Sequence, residues 1–226
     1  MKDFHTGELF AAPSPSDMPE TPAPGAMLLR GFARGDSASI LAAVQTVSAT
    51  APFRIMSTPG GLAMSVAMSN CGSLGWVSDR HGYRYSAIDP HSGHPWPAMP
   101  EALHGLARDA AARAGFADFD ADACLINRYV PGARMALHQD RDERDLTQPV
   151  VSISLGLPAD FLFGGLRRAE RPRRIPLLHG DVFVWGGPAR LAYHGVAPLK
   201  EGDYPGFGAC RINLTLRKAG AARPRA

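Results

Sequence analysis

Cysteine is scarce: the 226 residues include only Cys71, Cys124 and Cys210, far apart and in no C-x-x-C pair. An odd, scattered set of this kind excludes a disulfide framework, a structural zinc site and an iron–sulfur cluster, and it fits a reducing cytoplasm. Long apolar runs are also missing. No stretch reaches the roughly 18 residues of a membrane-spanning helix, and the opening MKDFHTGELFAAPSPS lacks the basic and apolar regions of a secretory signal. A soluble, cytoplasmic chain with no membrane partner is therefore expected. Charge of one sign is in small excess, with 24 Lys and Arg against 21 Asp and Glu. A net charge of +3 permits a polyanionic partner without requiring one. There is no internal repeat and no evident nucleophile–base motif.

With 45% apolar residues the chain can bury one substantial core. Residues 12 to 25, APSPSDMPETPAPG, carry five prolines among small polar residues, and residues 1–25 read as an unstructured extension. Residues 26–121 form a second region. In it AMLLRGF reads as a strand. Ser37 heads a helix striped by Ile40, Leu41, Val44 and Val47, and a helix from about Pro100 carries Leu103, Leu106, Ala107, Ala110 and Ala114. Between the helices, residues 52 to 97 are rich in Gly, Ser, Met and aromatics, with hairpin and loop signals in VSDRHGYRYS and DPHSGHPWP, and read as a lid. Residues 122–218 break into eight short β-like runs: ACLINRYV, ARMALHQD, VVSISLGL, DFLFGG, RRIPLL, DVFVWGG, LAYHGV and CRINLTLR. Such runs after two helices predict a mainly β fold with flanking helices, an antiparallel sandwich or jelly roll. Residues 219–226 read as a frayed basic tail.

In MALHQDRDE, His138, Asp140 and Asp142 occupy alternate positions. On a strand they share a face, and an imidazole beside a carboxylate can chelate a metal ion. A facial set of two histidines and one carboxylate leaves positions open on iron(II), and His194 in RLAYHGV, distant in sequence, is the leading third ligand. It equally reads as a half-buried histidine near a strand end. The rival triplet His179-Gly-Asp181 has a central glycine between apolar runs and reads as a turn. His81, His91, His94 and His104 fall in loops or on a helix and His5 in the extension, so they read as surface residues.

In CRINLTLR, Arg211, Asn213, Thr215 and Arg217 alternate with apolar residues. The ordinary explanation is a sheet with one wet face. The composition also permits two guanidiniums to grip a small dicarboxylate, aided by Asn127 and Tyr129, which share a face in CLINRYV. Between Arg167 and Arg174, RRAERPRR holds five arginines and one glutamate. It is either a solvated loop or a contact for backbone phosphates.

The runs TPGGLAMSVAMSNCGSLGW, YSAIDPHSGHPWPAMP, CLINRYVPGARMALHQDRDE, VSISLGLPADFLFGG, HGDVFVWGG, YHGVAPLK and CRINLTLR, spread over residues 26 to 218, resemble the bacterial AlkB family of iron(II)- and 2-oxoglutarate-dependent dioxygenases. The resemblance implies a double-stranded β-helix, a form of jelly roll, under a nucleotide-recognition lid. It implies iron on His138, Asp140 and His194, with 2-oxoglutarate on Asn127, Tyr129, Arg211, Asn213 and Arg217. It makes the 179–181 triplet a structural turn, and Trp76, Tyr83, Asp142 and Arg168 substrate contacts. The implied reaction uses O2 to demethylate bases such as 1-methyladenine and 3-methylcytosine in DNA. RNA or a small molecule is the alternative substrate, and formaldehyde, succinate and CO2 are released. A non-catalytic nucleic-acid-binding jelly roll is the reading from a different class, and a monomer is expected.

Overall fold

A computed structural model describes residues 19–220. In chain order the elements are β1 (Glu20–Ala23), β2 (Ala26–Leu29), α1 (Ser37–Thr50), β3 (Arg54–Ser57), β4 (Ala63–Gly72), β5 (Gly75–Asp79), β6 (Gly82–Ser86), α2 (Glu101–Arg113), β7 (Ala123–Tyr129), β8 (Met135–His138), β9 (Val150–Gly156), β10 (Ala159–Phe163), β11 (Arg173–Leu177), β12 (Val182–Trp185), β13 (His194–Val196) and β14 (Arg211–Arg217). All eight runs expected after residue 122 are strands. They contribute to a major sheet in the order β1-β2-β12-β9-β14-β7-β4-β3 and a minor sheet in the order β11-β10-β13-β8, with β5–β6 as a separate hairpin. All the pairings within the two sheets are antiparallel. The result is the double-stranded β-helix.

Side-chain alternation divides the interior into two layers. Even-numbered residues of β7 and β14 (Cys124, Ile126, Leu214, Leu216) and odd-numbered residues of β9 (Val151, Ile153) meet Ile40, Val44 and Val47 of α1 and Leu103, Leu106 and Ala110 of α2. The opposite parity faces the minor sheet, where Phe161, Phe163, Phe183 and Trp185 pack together with ring centroids 5.0 to 6.4 Å apart. Every residue of β14 is buried. Its polar side is consequently an interior surface, not the wet face that simple alternation describes.

Three boundaries differ from the sequence reading. The end of the proline-rich stretch is a strand: β1 pairs with β2, Arg30 Nε donates to Glu20 Oε1 (2.7 Å), and Arg173 Nη1 donates to the Pro22 carbonyl (2.7 Å). Proline lacks an N–H but is tolerated at a sheet edge. Residues 1–18 and 221–226 lie outside the described residues. Within 52–97, β3 and β4 join the major sheet, β4 pairing with β7 over six residues. At the C-terminus, Ala219 and Gly220 are pinned, their N–H groups donating to the two oxygens of Asp122 (2.6 and 3.1 Å).

The rival triplet has a structural role. Asp181, 1% exposed, accepts from Arg30 Nη1 (2.7 Å), Gly31 N (2.9 Å) and Leu178 N (2.9 Å), fastening the β11–β12 turn to the chain after β2. Asp181→Ala leaves these donors without their acceptor and is expected to lower the unfolding free energy by about 2–4 kcal/mol, measured by urea denaturation.

Candidate active site

The two strands that carry the histidines lie side by side, and His194 is the cross-strand partner of His138. The approach depends on Gly195, where a Cβ would sit 2.6 Å from the Met135 carbonyl oxygen. β8 ends at His138, so Asp140 reaches the same point from irregular chain and not from a shared strand face; Asp142 likewise lies beyond the strand. The two imidazoles are 4.3 Å apart between centroids, and each Nε2 is 3.7 Å from an Asp140 oxygen. One ligand atom from each of the three residues falls within 4.8 Å of the others. Among the described residues this is the one such group of three.

Protonation suits the same purpose. His138 Nδ1 and His194 Nδ1 face the carbonyls of Ala136 (2.9 Å) and Ala192 (3.0 Å). A carbonyl can only accept, so each Nδ1 carries the proton and each Nε2 lone pair is directed to the shared point. Burial, then the neighbouring His138, pulls the His194 pKa down to about 4, which keeps it neutral. Burial alone would raise the Asp140 pKa, but Arg217 and the two histidines outweigh it and hold the carboxyl well below its usual range. Two imidazoles with their Nε2 atoms turned inward and one ionised carboxylate, on one side of an open point, fit a divalent iron ion.

The polar side of β14 lies beside this cluster. In register, Arg211 stands opposite Tyr129 and Asn213 opposite Asn127 on β7. The Arg211 guanidinium is buried, lies 5.1 Å from the Tyr129 ring centre and donates Nη2 to Ser154 Oγ (2.9 Å). Its Nε and Nη1 have no partner, nor does Asn127 Oδ1. A buried guanidinium with two nitrogens lacking acceptors is costly alone and suits a carboxylate guest. Asn213 donates to Ser152 Oγ (2.8 Å). Arg217 Nε and Nη2 bind Asp140 Oδ2 at 2.8 and 2.7 Å.

In the β5–β6 hairpin, Trp76 stacks on Tyr83 at 5.6 Å between centroids, and Trp76 Nε1 donates to Asp142 Oδ2 (3.0 Å). The Asn70 carboxamide brackets the Trp76 backbone, donating to its carbonyl and accepting from its N–H, both at 3.0 Å. A groove of about 350 Å³ beside Asp142 is lined by Tyr83, Tyr85 and Arg144. Arg168 is exposed, 6.0 Å from the Tyr193 ring. Arg167 pairs with Glu170, and Arg174 with Asp160. The sequence reading passed over Ser152 and Ser154, although their alternation in VVSISLGL signals a polar interior face. It also passed over Tyr85, Glu143 and Arg190.

A model of the 2OG-Fe(II) oxygenase superfamily matches residues 25–217. The chain belongs to this superfamily. Its similarity to curated members is high: 54% identity over 213 residues, 94% of this chain and 98% of the other, to the alpha-ketoglutarate-dependent dioxygenase AlkB of Escherichia coli, and 55% over 212 residues, 94% and 97%, to that of Salmonella typhimurium. A solved structure described as that of OsALKBH1 superposes with a TM-score of 0.78 at 28% identity, covering 89% of this chain and all of that one. As a 2OG-Fe(II) oxygenase the chain is a dioxygenase that uses iron(II), 2-oxoglutarate and O2.

Metal-free protein should record the His194 environment in its stability. An unfolded histidine titrates near 6.5 and the folded one near 4. Between these values the unfolded chain binds more protons, so stability falls as pH drops through this window, by up to about 1.4 kcal/mol per pH unit. Urea denaturation between about pH 7 and pH 4 is expected to show His194→Gln lacking this part of the slope.

Proposed function

We propose that this oxygenase removes alkyl groups from damaged nucleic-acid bases in the cytoplasm, acting as a monomer on DNA lesions such as 1-methyladenine and 3-methylcytosine and extending to RNA. Two-oxoglutarate is converted to succinate and CO2, and the methyl group leaves as formaldehyde. The reading is supported by the relatives named AlkB and by the 35% identity, over 133 residues, to the human nucleic acid dioxygenase ALKBH1, of which those residues are 34%. The observation that carries it is a carboxylate, Asp142, hydrogen-bonded to an aromatic lid residue two positions beyond a metal-ligating carboxylate.

In this reading His138, Asp140 and His194 hold iron(II), which supplies the activation of O2 and the oxidation of the alkyl carbon. Arg211, with two nitrogens uncommitted, takes a carboxylate of 2-oxoglutarate, and Tyr129, Asn127 and Asn213 line the same floor. Arg217 keeps Asp140 ionised and orients it while presenting positive charge to the co-substrate. Burial of this floor excludes water from the reacting groups.

Methylation at N1 of adenine or N3 of cytosine leaves the base cationic and unable to pair, so turning it out of the stack costs less than for an intact base. Trp76 and Tyr83 offer aromatic faces, which attract a cationic ring more strongly than a neutral one. Asp142 adds a negative charge within reach of the same ring. Arg168, exposed in the loop 164–172, contacts backbone phosphate.

The deciding experiment measures formaldehyde and succinate from an oligodeoxynucleotide containing 1-methyladenine, with and without iron(II) and 2-oxoglutarate, beside the matching RNA and the free nucleoside. Release is expected with DNA and only with both additions, falling at least about 100-fold in His138→Ala. Asp142→Asn should raise KM about ten-fold for the cationic lesion and much less for a neutral one such as 3-methylthymine. No turnover on the DNA would sink the repair reading. Equal activity in His138→Ala would remove the metal centre from it.

A further inference from the structure

The β5–β6 hairpin is fastened to the chain after Asp140 at two points of very different character. In its register Trp76 stands opposite Tyr85 and Ser78 opposite Tyr83, so Trp76, Tyr83 and Tyr85 share one face. The outer contact is Trp76 Nε1 to Asp142 Oδ2, and Asp142 is exposed. The inner contact is the Tyr85 hydroxyl donating to Glu143 Oε1 at 2.7 Å, where the Glu143 side chain is 2% exposed.

Glu143 belongs to a buried ionic cluster. Its Oε2 accepts from Arg190 Nη2 (3.0 Å), and its Oε1 lies 3.5 Å from Arg217 Nε. Arg190 Nη1 also donates to the main-chain oxygen of Asp140 (2.6 Å), and Arg217 binds the Asp140 carboxylate. Two carboxylates and two guanidiniums balance in charge. A path of direct contacts therefore runs from Tyr85 through Glu143 and Arg217 to Asp140.

Resting on the function proposed above, we infer that Tyr85 is a positioning residue: its hydroxyl, through Glu143, fixes the hairpin against the ionic cluster and so sets the position of Trp76 and Tyr83 over the metal site. The outer bond is open to water, which competes for both partners, so an incoming base can displace it at small cost. The inner bond is made to a buried carboxylate flanked by two guanidiniums and is correspondingly stronger. Burial holds the Tyr85 hydroxyl far above its usual pKa, so it remains a donor. Removing that hydroxyl leaves Glu143 facing both arginines, and the charge balance around Asp140 is retained. Neutralising Glu143 instead leaves an excess of buried positive charge beside Asp140. The two changes should therefore separate lid placement from metal binding.

The test compares wild type, Tyr85→Phe and Glu143→Gln as iron-loaded enzymes on the methylated oligonucleotide, and also follows amide hydrogen exchange of residues 75–86 without substrate. Tyr85→Phe is expected to raise KM about ten-fold with kcat changed less than about two-fold, to increase succinate formed per formaldehyde, and to speed exchange in the hairpin about ten-fold. Glu143→Gln is expected to weaken iron binding as well, by about ten-fold. Wild-type KM, product ratio and exchange in Tyr85→Phe would overturn the inference, as would a joint fall of kcat and iron affinity in that variant. A wild type silent on every nucleic acid would count against the proposed function alone, and hairpin exchange would still decide the role of Tyr85.

Discussion

The ion pair between Arg217 and Asp140 is the constraint from which the rest of the site follows. A carboxyl buried to this degree would take up a proton and lose its capacity to bind a cation. Arg217 prevents that, with two nitrogens within 2.8 Å of one Asp140 oxygen. Because Arg217 is the last residue of β14 and Asp140 follows β8, the same pair also ties the major sheet to the minor one. A buried guanidinium is expensive in turn and is shared with Glu143, whose second oxygen needs Arg190. Each member is present because its neighbour would be intolerable alone.

The two sheets then divide the chemistry. The minor sheet places two imidazoles by direct cross-strand pairing, with tautomers set by backbone carbonyls that belong to the same strand or the chain just before it. The major sheet offers an anion-seeking floor in which Arg211 remains only partly satisfied. Incomplete hydrogen bonding at Arg211 and Asn127, a cost to the folded chain, marks where a guest belongs.

Much of this was readable in the sequence, and the failures have physical causes. Local periodicity identified the eight strands after residue 122 and both helices, because each buries one face of an alternating or helical pattern. It could not show that β4 leaves the lid segment to pair with β7, since strand pairing is decided by distant partners. The alternation of His138, Asp140 and Asp142 drew attention to the right residues for an incomplete reason, as the strand ends at His138. The same assumption concealed Glu143, which on a continuing strand would point away from His138. Arg190 had no local signal; its partners lie 42 to 50 positions away. Ser152 and Ser154 were visible as alternate polar residues in an apolar run, and become informative once the facing strand carries Arg211 and Asn213. The resemblance supplied what spacing alone left open, above all the choice of His138 and Asp140 over the 179–181 triplet, for which Asp181 shows an independent structural duty.

The aromatic lid has to satisfy two opposed demands, a fixed height above the reacting centre and an opening that a bulky base can enter. A uniformly strong attachment would meet only the first, and a uniformly weak one only the second. The hairpin resolves this by dividing its contacts between environments. Its hydroxyl contact is made to a carboxylate buried between two arginines, while its indole contact is made to an exposed carboxylate. A cationic base competes for that carboxylate with its own charge, whereas a neutral base offers less in exchange for the lost indole bond. Under the proposed function, selectivity for the damaged form is set in the opening step, by the difference between one exposed contact and one buried contact on the same face of a short hairpin.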